Sequence, residues 1–120
     1  VFMLMFIDLR LVAQLGVVRQ ALDALALSNP MHLYWAGIGV SQIISNVPAA
    51  ILLAEYSHDW PMIAFAVSVG GFGTLIGSLA NLIALRMARD KRAWLVFHAY
   101  SLPFLAVAAG VVYAWLTCLR

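Results

Sequence analysis

The sequence predicts an all-α membrane protein whose transmembrane helices are interrupted twice. Of its 120 residues, 65% are hydrophobic and 10% are charged, and the mean hydropathy is +0.98. A soluble domain is closer to half apolar and a quarter charged, so these few charges could not cover a water-facing surface. Residues 33–54, 61–85 and 93–119 contain no Asp, Glu, Lys or Arg. Each stretch reaches the roughly 20 residues that a membrane-crossing helix needs.

Two interruptions divide the first two apolar stretches into shorter segments. The first, residues 45–48 (Ser-Asn-Val-Pro), is typical of a helix that stops and restarts, because Ser and Asn cap helices and proline suits a first turn. The second, residues 70–78 (GGFGTLIGS), is rich in glycine, which costs a helix backbone entropy. Ser78 is the expected N-cap of the helix that follows it. Two interrupted hydrophobic segments in succession are typical of a secondary transporter's binding site.

The N-terminal third predicts one spanning and one interfacial helix. Residues 1–18 form a transmembrane helix carrying two charges, Asp8 and Arg10. An ionisable residue inside the bilayer is a functional candidate because burying its charge in lipid is costly. The alternative is that this end lies near the interface and Arg10 extends to water. Residues 19–31 have an apolar and a polar face, which predicts an amphipathic helix along the membrane surface.

The remaining residues predict three further segments of a single membrane domain. Residues 33–57 form a re-entrant helical hairpin, since each arm is too short to cross the bilayer; a kinked helix that crosses once is the alternative. Residues 61–89 form a broken, or unwound, transmembrane helix. Residues 93–119 form a complete one with aromatic residues at both ends. Because the chain opens inside an apolar run without Met, we expect it to be a fragment of a longer protein.

The basic residues indicate orientation rather than nucleic-acid binding. Four of the seven Lys and Arg residues lie within residues 86–92, which predicts that this loop is cytoplasmic and that the hairpin enters from the outside. The same loop accounts for the net charge of +2 and the pI near 9.0. The single cysteine, Cys118, excludes an internal disulfide.

The chemistry available at the interruptions is that of helix ends. Amide groups at a helix N-terminus attract anions, and carbonyl groups at a C-terminus attract cations. No nucleophile with a base and no carboxylate pair is present, so we do not expect an enzyme. Simple kinking and close helix packing by small residues are the alternatives to a site. The candidate substrate- and ion-binding residues are Ser45, Asn46, Val47, Pro48, Gly73, Thr74, Gly77, Ser78 and Asn81, of which Ser45, Asn46, Gly77, Ser78 and Asn81 are the candidates for sodium.

The two interruptions resemble the signatures of the ion transporter superfamily. Residues 45–50 (SNVPAA) are similar to its Ser-Asn-Thr hairpin turn, and residues 77–83 (GSLANLI) to its Gly-Ser/Thr-x-x-Asn unit. The superfamily includes citrate transporters, divalent-anion/sodium symporters, arsenite pump membrane subunits and NhaD-type antiporters; the pattern is also similar to YbiR-type bacterial inner-membrane anion transporters. The resemblance covers essentially the whole chain, as the C-terminal one of two inverted repeats. Val47 departs from the signature by lacking a hydroxyl, which favours an ion-binding turn over any named substrate.

The resemblance implies secondary active transport of an anion across the bacterial inner membrane, coupled to an ion gradient. The anion is citrate-like, dicarboxylate-like or an inorganic oxyanion, and the coupling ion is sodium or a proton. The alternatives are a sodium/proton antiporter that uses Asp8 and a helical membrane subunit that does not transport. The expected partners are the lipid bilayer, the anion and the N-terminal repeat, with a homodimer left open. No nucleic acid or further cofactor is expected.

Overall fold

The computed structural model describes residues 2–25 and 28–119, and its regular structure there is entirely helical. This confirms the predicted all-α class. The helices are α1 (Phe2–Gln14), α2 (Gly16–Ala24), α3 (Pro30–Ile44), α4 (Asn46–Ala54), α5 (Trp60–Gly70), a 3₁₀ helix (Leu75–Gly77), α6 (Leu79–Ala88) and α7 (Lys91–Cys118).

Helices α3 and α4 fold back on each other at Ser45. Gly37 and Leu53 lie eight positions before and after Ser45, yet a Cβ on Gly37 would lie only 3.4 Å from Leu53 Cδ1. Two helices continuing in line would separate these residues by about 24 Å at 1.5 Å per residue. The pair is therefore a helical hairpin and not one kinked rod. Its re-entry into a bilayer from one side stays a prediction.

Helix α5 runs parallel to α3 in very close contact. A Cβ on Gly37 would lie 2.5 Å from Ala66 Cβ, and a Cβ on Gly70 would lie 2.6 Å from Ser41 Cβ. From the first contact to the second, the residue number rises by four in α3 (37 to 41) and by four in α5 (66 to 70). The two helices therefore run in the same direction. The C-terminal ends of α3 and α5 therefore lie at the same level. Because of this, the hairpin turn (residues 45–48) and the glycine-rich segment (residues 70–78) are neighbours.

Helix α7 runs antiparallel to α3 and α5 and covers one side of them. Its Ser101 accepts a hydrogen bond from Gly73 N at 2.7 Å, and further along the helix Ala109 O accepts one from Tyr34 Oη at 2.9 Å. Near its end, Trp115 packs on Phe65 with ring centroids 5.5 Å apart. Among the described residues, α7 is the one helix long and apolar enough to cross a membrane, whereas α5 and α6 are shorter apolar helices.

The buried core lies between α3, α4 and α5. Leu33, Tyr34, Leu53 and Ala66 are almost fully buried, and the buried Ser41 hydroxyl donates to Gly37 O at 2.7 Å. In contrast, none of the residues of α6 is buried, and α1 and α7 expose many large apolar side chains. Continuous exposed apolar surface of this kind marks contact with lipid or with other protein.

The first two helices differ in extent from the sequence prediction. Helix α1 ends at Gln14 and not near residue 18, because Leu15 adopts an extended conformation (φ −63°, ψ 132°). Helix α2 therefore starts at Gly16 and ends at Ala24. The predicted interfacial helix, residues 19–31, is shorter because Asn29 starts α3 by accepting a hydrogen bond from Met31 N. Residues 26 and 27 of that prediction lie outside the described residues.

The later boundaries are close to the predicted ones. Helix α5 starts one residue before Pro61, and α6 ends at Ala88 because Arg89 adopts the left-handed conformation (φ 51°). Asp90 then caps α7 by accepting a hydrogen bond from Arg92 N at 2.9 Å. The loop within residues 86–92 is consequently a tight turn of two residues between α6 and α7, with exposed basic side chains.

Candidate functional site

The hairpin turn depends on an unusual backbone conformation at Ser45. Its φ of 78° and ψ of 157° lie in a region that is essentially restricted to glycine. The helical hydrogen bonds nevertheless continue on either side, since Ser45 N donates to Ser41 O and Ser45 O accepts from Ala49 N. We predicted that Ser45 or Asn46 caps α4 through its side chain. This is wrong for Ser45, whose Oγ contacts Asn46 Oδ1 at 3.5 Å and bonds no amide of α4.

The glycine-rich segment is an irregular turn closed by two caps. Thr74 starts the 3₁₀ helix by accepting a hydrogen bond from Gly77 N at 3.2 Å. Ser78 starts α6 by accepting one from Ala80 N at 3.3 Å, which confirms the predicted cap. Gly73 has a φ of 102°, which side-chain-bearing residues rarely adopt. The segment therefore unwinds between residues 71 and 78 as its glycine content predicted.

Three consecutive backbone amides of this segment bind side chains from two other helices. The amides of residues 73, 74 and 75 donate to Ser101 Oγ at 2.7 Å, Gln42 Oε1 at 2.9 Å and His98 Nε2 at 3.2 Å. His98 Nδ1 lies 2.8 Å from Trp94 O. Since Nε2 accepts from an N–H group, the imidazole is assigned as neutral with its proton on Nδ1. The unwound backbone is thus held by side chains of α3 and α7.

The carbonyl groups around the end of α5 bind side-chain amides. Gln42 Nε2 donates to Gly70 O at 2.7 Å and to Phe72 O at 3.1 Å. Asn81 Nδ2 donates to Gly71 O at 2.9 Å and to Thr74 O at 3.3 Å. The sequence suggested that these carbonyls attract a cation. In the structure they already accept hydrogen bonds from within the protein, so they do not form an open ring of cation ligands.

The two interruptions meet at one small cavity. It has a volume of about 140 Å³, and Ser45 and Ser78, the N-cap residues of α4 and α6, lie on its wall. Asn46 also reaches the glycine-rich segment, because a Cβ on Gly71 would lie 3.2 Å from Asn46 Nδ2. The complete lining consists of Ser45, Leu75, Ile76, Ser78, Leu79 and Leu82.

The other predicted site residues do not line this cavity. Thr74, Gly77 and Asn81 belong to the hydrogen-bond network of the unwound segment. Val47 is 49% exposed on the outer side of the hairpin turn, and Pro48 lies in the first turn of α4. The structure therefore brings the two signatures into contact. Of the nine predicted site residues, only Ser45 and Ser78 line the cavity between the two signatures.

The predicted intramembrane charges lie elsewhere. Arg10 Nε is 3.2 Å from Glu55 Oε1, and the two side chains are 73% and 37% exposed. A pair this exposed contributes about 0–1 kcal/mol. Asp8 is exposed on α1 and is not among the residues that line the cavity. Within residues 2–25 and 28–119, no three His, Cys, Asp or Glu side chains cluster as metal ligands would.

Sequence reasoning missed Gln42, whose side chain makes three hydrogen bonds to the glycine-rich segment (residues 70–78), more than that of any predicted residue. A signal was present, because Gln42 is the only side-chain amide in residues 33–44 and precedes the hairpin turn by three positions. A polar side chain in an otherwise apolar membrane segment needs a partner, since its unpaired burial is costly. That partner could not be identified before the fold placed α3 beside α5.

Two curated proteins match this chain. The Escherichia coli protein named inner membrane protein YbiR is 50% identical over 119 residues, which are 99% of this chain and 32% of that protein. A Methanocaldococcus jannaschii protein named as an uncharacterized transporter is 40% identical over 90 residues, which are 75% of this chain and 25% of that protein. The chain thus spans about a third and a quarter of their lengths. No family model and no solved structure matches. These similarities confirm the predicted inner-membrane location and a likeness to transporters in general.

Proposed function

We propose that this chain is the C-terminal repeat of a secondary active transporter that moves an anion across the bacterial inner membrane. The observation that carries the proposal is the meeting of two helix N-termini, those of α4 and α6, at one cavity. The likeness to a protein named as a transporter supports the general class. The superfamily, the anion and the coupling ion are the parts that we propose.

The two helix N-termini beside the cavity favour an anion for electrostatic reasons. The N-terminus of a helix carries a partial positive charge of about half a unit, because its first amide groups have no partner inside the helix. Two such ends beside one cavity reinforce each other, whereas the wall of the cavity itself is almost entirely apolar. The cavity of about 140 Å³ is smaller than the 300–1,000 Å³ of a typical ligand pocket. On the size of the part that this chain forms, we propose a small inorganic oxyanion rather than citrate.

The topology supports a re-entrant hairpin within an inverted repeat. Helices α3 and α5 are parallel and both end at the level of the interruptions, as expected if both enter from the outer side and stop at mid-membrane. The continuation of α5 into α6 and the return through α7 support the proposal that the loop of residues 86–92 is cytoplasmic. We propose that the exposed face of α6 and the open side of the cavity contact the N-terminal repeat of the same protein.

The coupling ion is proposed to bind near the same serines. Ser45 and Ser78 oxygens and the Asn46 and Asn81 side-chain carbonyls are neutral oxygen ligands of the kind that suits sodium. The sodium/proton antiporter alternative needs a titratable group at the cavity. None of the described residues lining it is titratable, and Asp8 lies outside it. This arrangement favours anion transport over antiport.

The test is uptake of radiolabelled anions by the intact carrier in proteoliposomes. Citrate, succinate, sulfate and arsenite are offered with an imposed sodium gradient, with a proton gradient and with neither. We expect uptake of an inorganic anion that one gradient accelerates. Uptake of none of the four under any gradient would refute the anion assignment.

Three substitutions separate the alternatives. Asn46→Ala and Asn81→Ala are expected to reduce uptake at least about tenfold, because each removes an amide that contacts the glycine-rich segment. Gln20→Ala on the exposed face of α2 is the matched control and is expected to transport normally. Unchanged uptake in both Asn variants would favour a subunit that does not transport. Loss of proton-coupled activity in Asp8→Asn would favour the antiporter.

A further inference from the structure

We propose that Gln42 is a positioning residue that sets the affinity of the carrier by holding the unwound segment against the hairpin. The inference rests on the proposed function and assigns a role to a residue outside both signature motifs. Gln42 is the one described side chain of α3 that hydrogen-bonds this segment, and it does so within one turn of Ser45. It is therefore a direct hydrogen-bonded link between the two halves of the site.

The carboxamide of Gln42 uses both of its N–H donors and its oxygen acceptor to bind the segment. Its two N–H groups point to Gly70 O and Phe72 O, and its oxygen accepts from Thr74 N. The backbone adds a further contact, since Thr74 Oγ1 donates to Gln42 O at 3.4 Å. One planar group thus sets the relative positions of residues 70, 72 and 74. These residues determine where the 3₁₀ helix and the Ser78 cap begin.

Two of the glycines among the candidate site residues, Gly73 and Gly77, provide the space for this carboxamide. A Cβ on Gly73 would lie 2.6 Å from Leu105 Cδ2 and 2.9 Å from Gln42 Oε1. A Cβ on Gly77 would lie 2.8 Å from Gly70 O and 3.2 Å from Gln42 Oε1. These distances are all shorter than an ordinary contact of about 3.5–4.0 Å between nonbonded atoms. The lack of a side chain at both positions leaves room for the Gln42 carboxamide, and at Gly73 it also permits the positive φ. The two glycines therefore allow Gln42 to approach the backbone of the segment closely.

The segment that Gln42 holds includes residues that line the cavity. Residues 75, 76, 78 and 79 line the cavity, whereas Gln42 itself does not. Gln42 therefore acts on the cavity only through the backbone that it positions. Without its three hydrogen bonds the segment is expected to sample other conformations, so that a smaller fraction of molecules presents the binding geometry. Apparent affinity then falls in proportion to that fraction, while the turnover of correctly formed sites is retained.

The experiment compares Gln42→Met with wild type in the intact carrier by two measurements. Met preserves the approximate volume and removes all three side-chain hydrogen bonds. Amide hydrogen exchange across residues 71–78 is expected to accelerate at least about tenfold, with exchange in the middle of α7 unchanged. The KM for the transported anion is expected to rise about fivefold or more with kcat within twofold, as reduced competence predicts. Gln20→Ala is the matched control for both measurements.

The two measurements keep the inference distinct from the proposed function. Hydrogen exchange requires no transport, so faster exchange in Gln42→Met would be seen even if no tested anion were carried. Unchanged exchange would overturn the inference whatever the uptake. Faster exchange with unchanged KM in an active carrier would also overturn it, because the link would then be structural only. If Gln42→Met does not accumulate, Gln42→Glu is used, which keeps the acceptor for Thr74 N but removes both donors. Exchange that is unchanged or slower than in wild type, or an unchanged KM in an active carrier, would overturn the inference.

Discussion

The strained backbone of Ser45 makes a quantitative prediction about the hairpin turn. A residue with a side chain in this region of φ and ψ costs about 1–3 kcal/mol relative to a relaxed conformation. Glycine adopts the same conformation without that cost but loses about 0.5–1 kcal/mol of extra backbone entropy on folding. The Ser45 hydroxyl caps no amide of α4, so its removal costs little. Ser45→Gly is therefore expected to stabilise the protein by about 0–2.5 kcal/mol, with a central value of about 1 kcal/mol.

Ser45→Ala is the matched control for this prediction. It removes the same hydroxyl but keeps the strained φ, so the free energy of unfolding should stay within about 0.5 kcal/mol of wild type. Both variants are measured by reversible unfolding of the detergent-solubilised protein, alongside uptake. A destabilised Ser45→Gly variant, or equal stabilisation by Ala, would refute the assignment of strain. If the hydroxyl binds the anion, uptake should fall equally in both variants although only one of them is more stable.

Further predictions concern the packing of α3 against its neighbours. Gly70→Ala is expected to destabilise the protein by about 1–3 kcal/mol, because its Cβ would lie 2.6 Å from a side chain of α3 and 3.2 Å from its backbone. Gly39→Ala, also in a helix but facing open space, is the control and should be neutral or stabilising in the same unfolding assay. Tyr34→Phe removes the buried hydrogen bond to α7 and is expected to cost about 1 kcal/mol. A neutral Tyr34→Phe variant would mean that this carbonyl finds another donor.

Much of the local structure could be predicted because its causes are local. Pro61 marks the start of α5, Ser78 caps α6, and the glycine content of residues 70–77 ends the helix before them. Each of these effects depends on residues within one helical turn. The boundary at Leu15 was missed because no capping residue or proline marks it. The predicted cap at Ser45 was wrong for another reason. Serine is a common N-cap, but where the chain reverses the Ser45 hydroxyl contacts Asn46 Oδ1 and not an amide of α4.

The candidate site stays a prediction, for which the structure gives the arrangement of the residues. The two signature motifs meet, as the resemblance implied, but the cavity between them involves only Ser45 and Ser78 of the nine predicted residues. The carbonyl groups expected to attract a cation are bonded to Gln42 and Asn81. Donors and acceptors separated by about 30 positions in the chain cannot be paired from a pattern of residues. The pairing depends on how two helices are rotated and shifted against each other.

The sequence by itself determined that this is a helical membrane protein with two interruptions, because composition and local backbone preferences are properties of short segments. Only the tertiary structure decided that α4 folds back on α3 and that α5 lies parallel to α3. Close contacts at Gly37 and Gly70 allow that approach, which brings the ends of both helices to one level. As a result, the unwound backbone is within reach of Gln42, and the N-termini of α4 and α6 share a cavity. Such contacts between distant segments arise from packing, which no single stretch of sequence specifies.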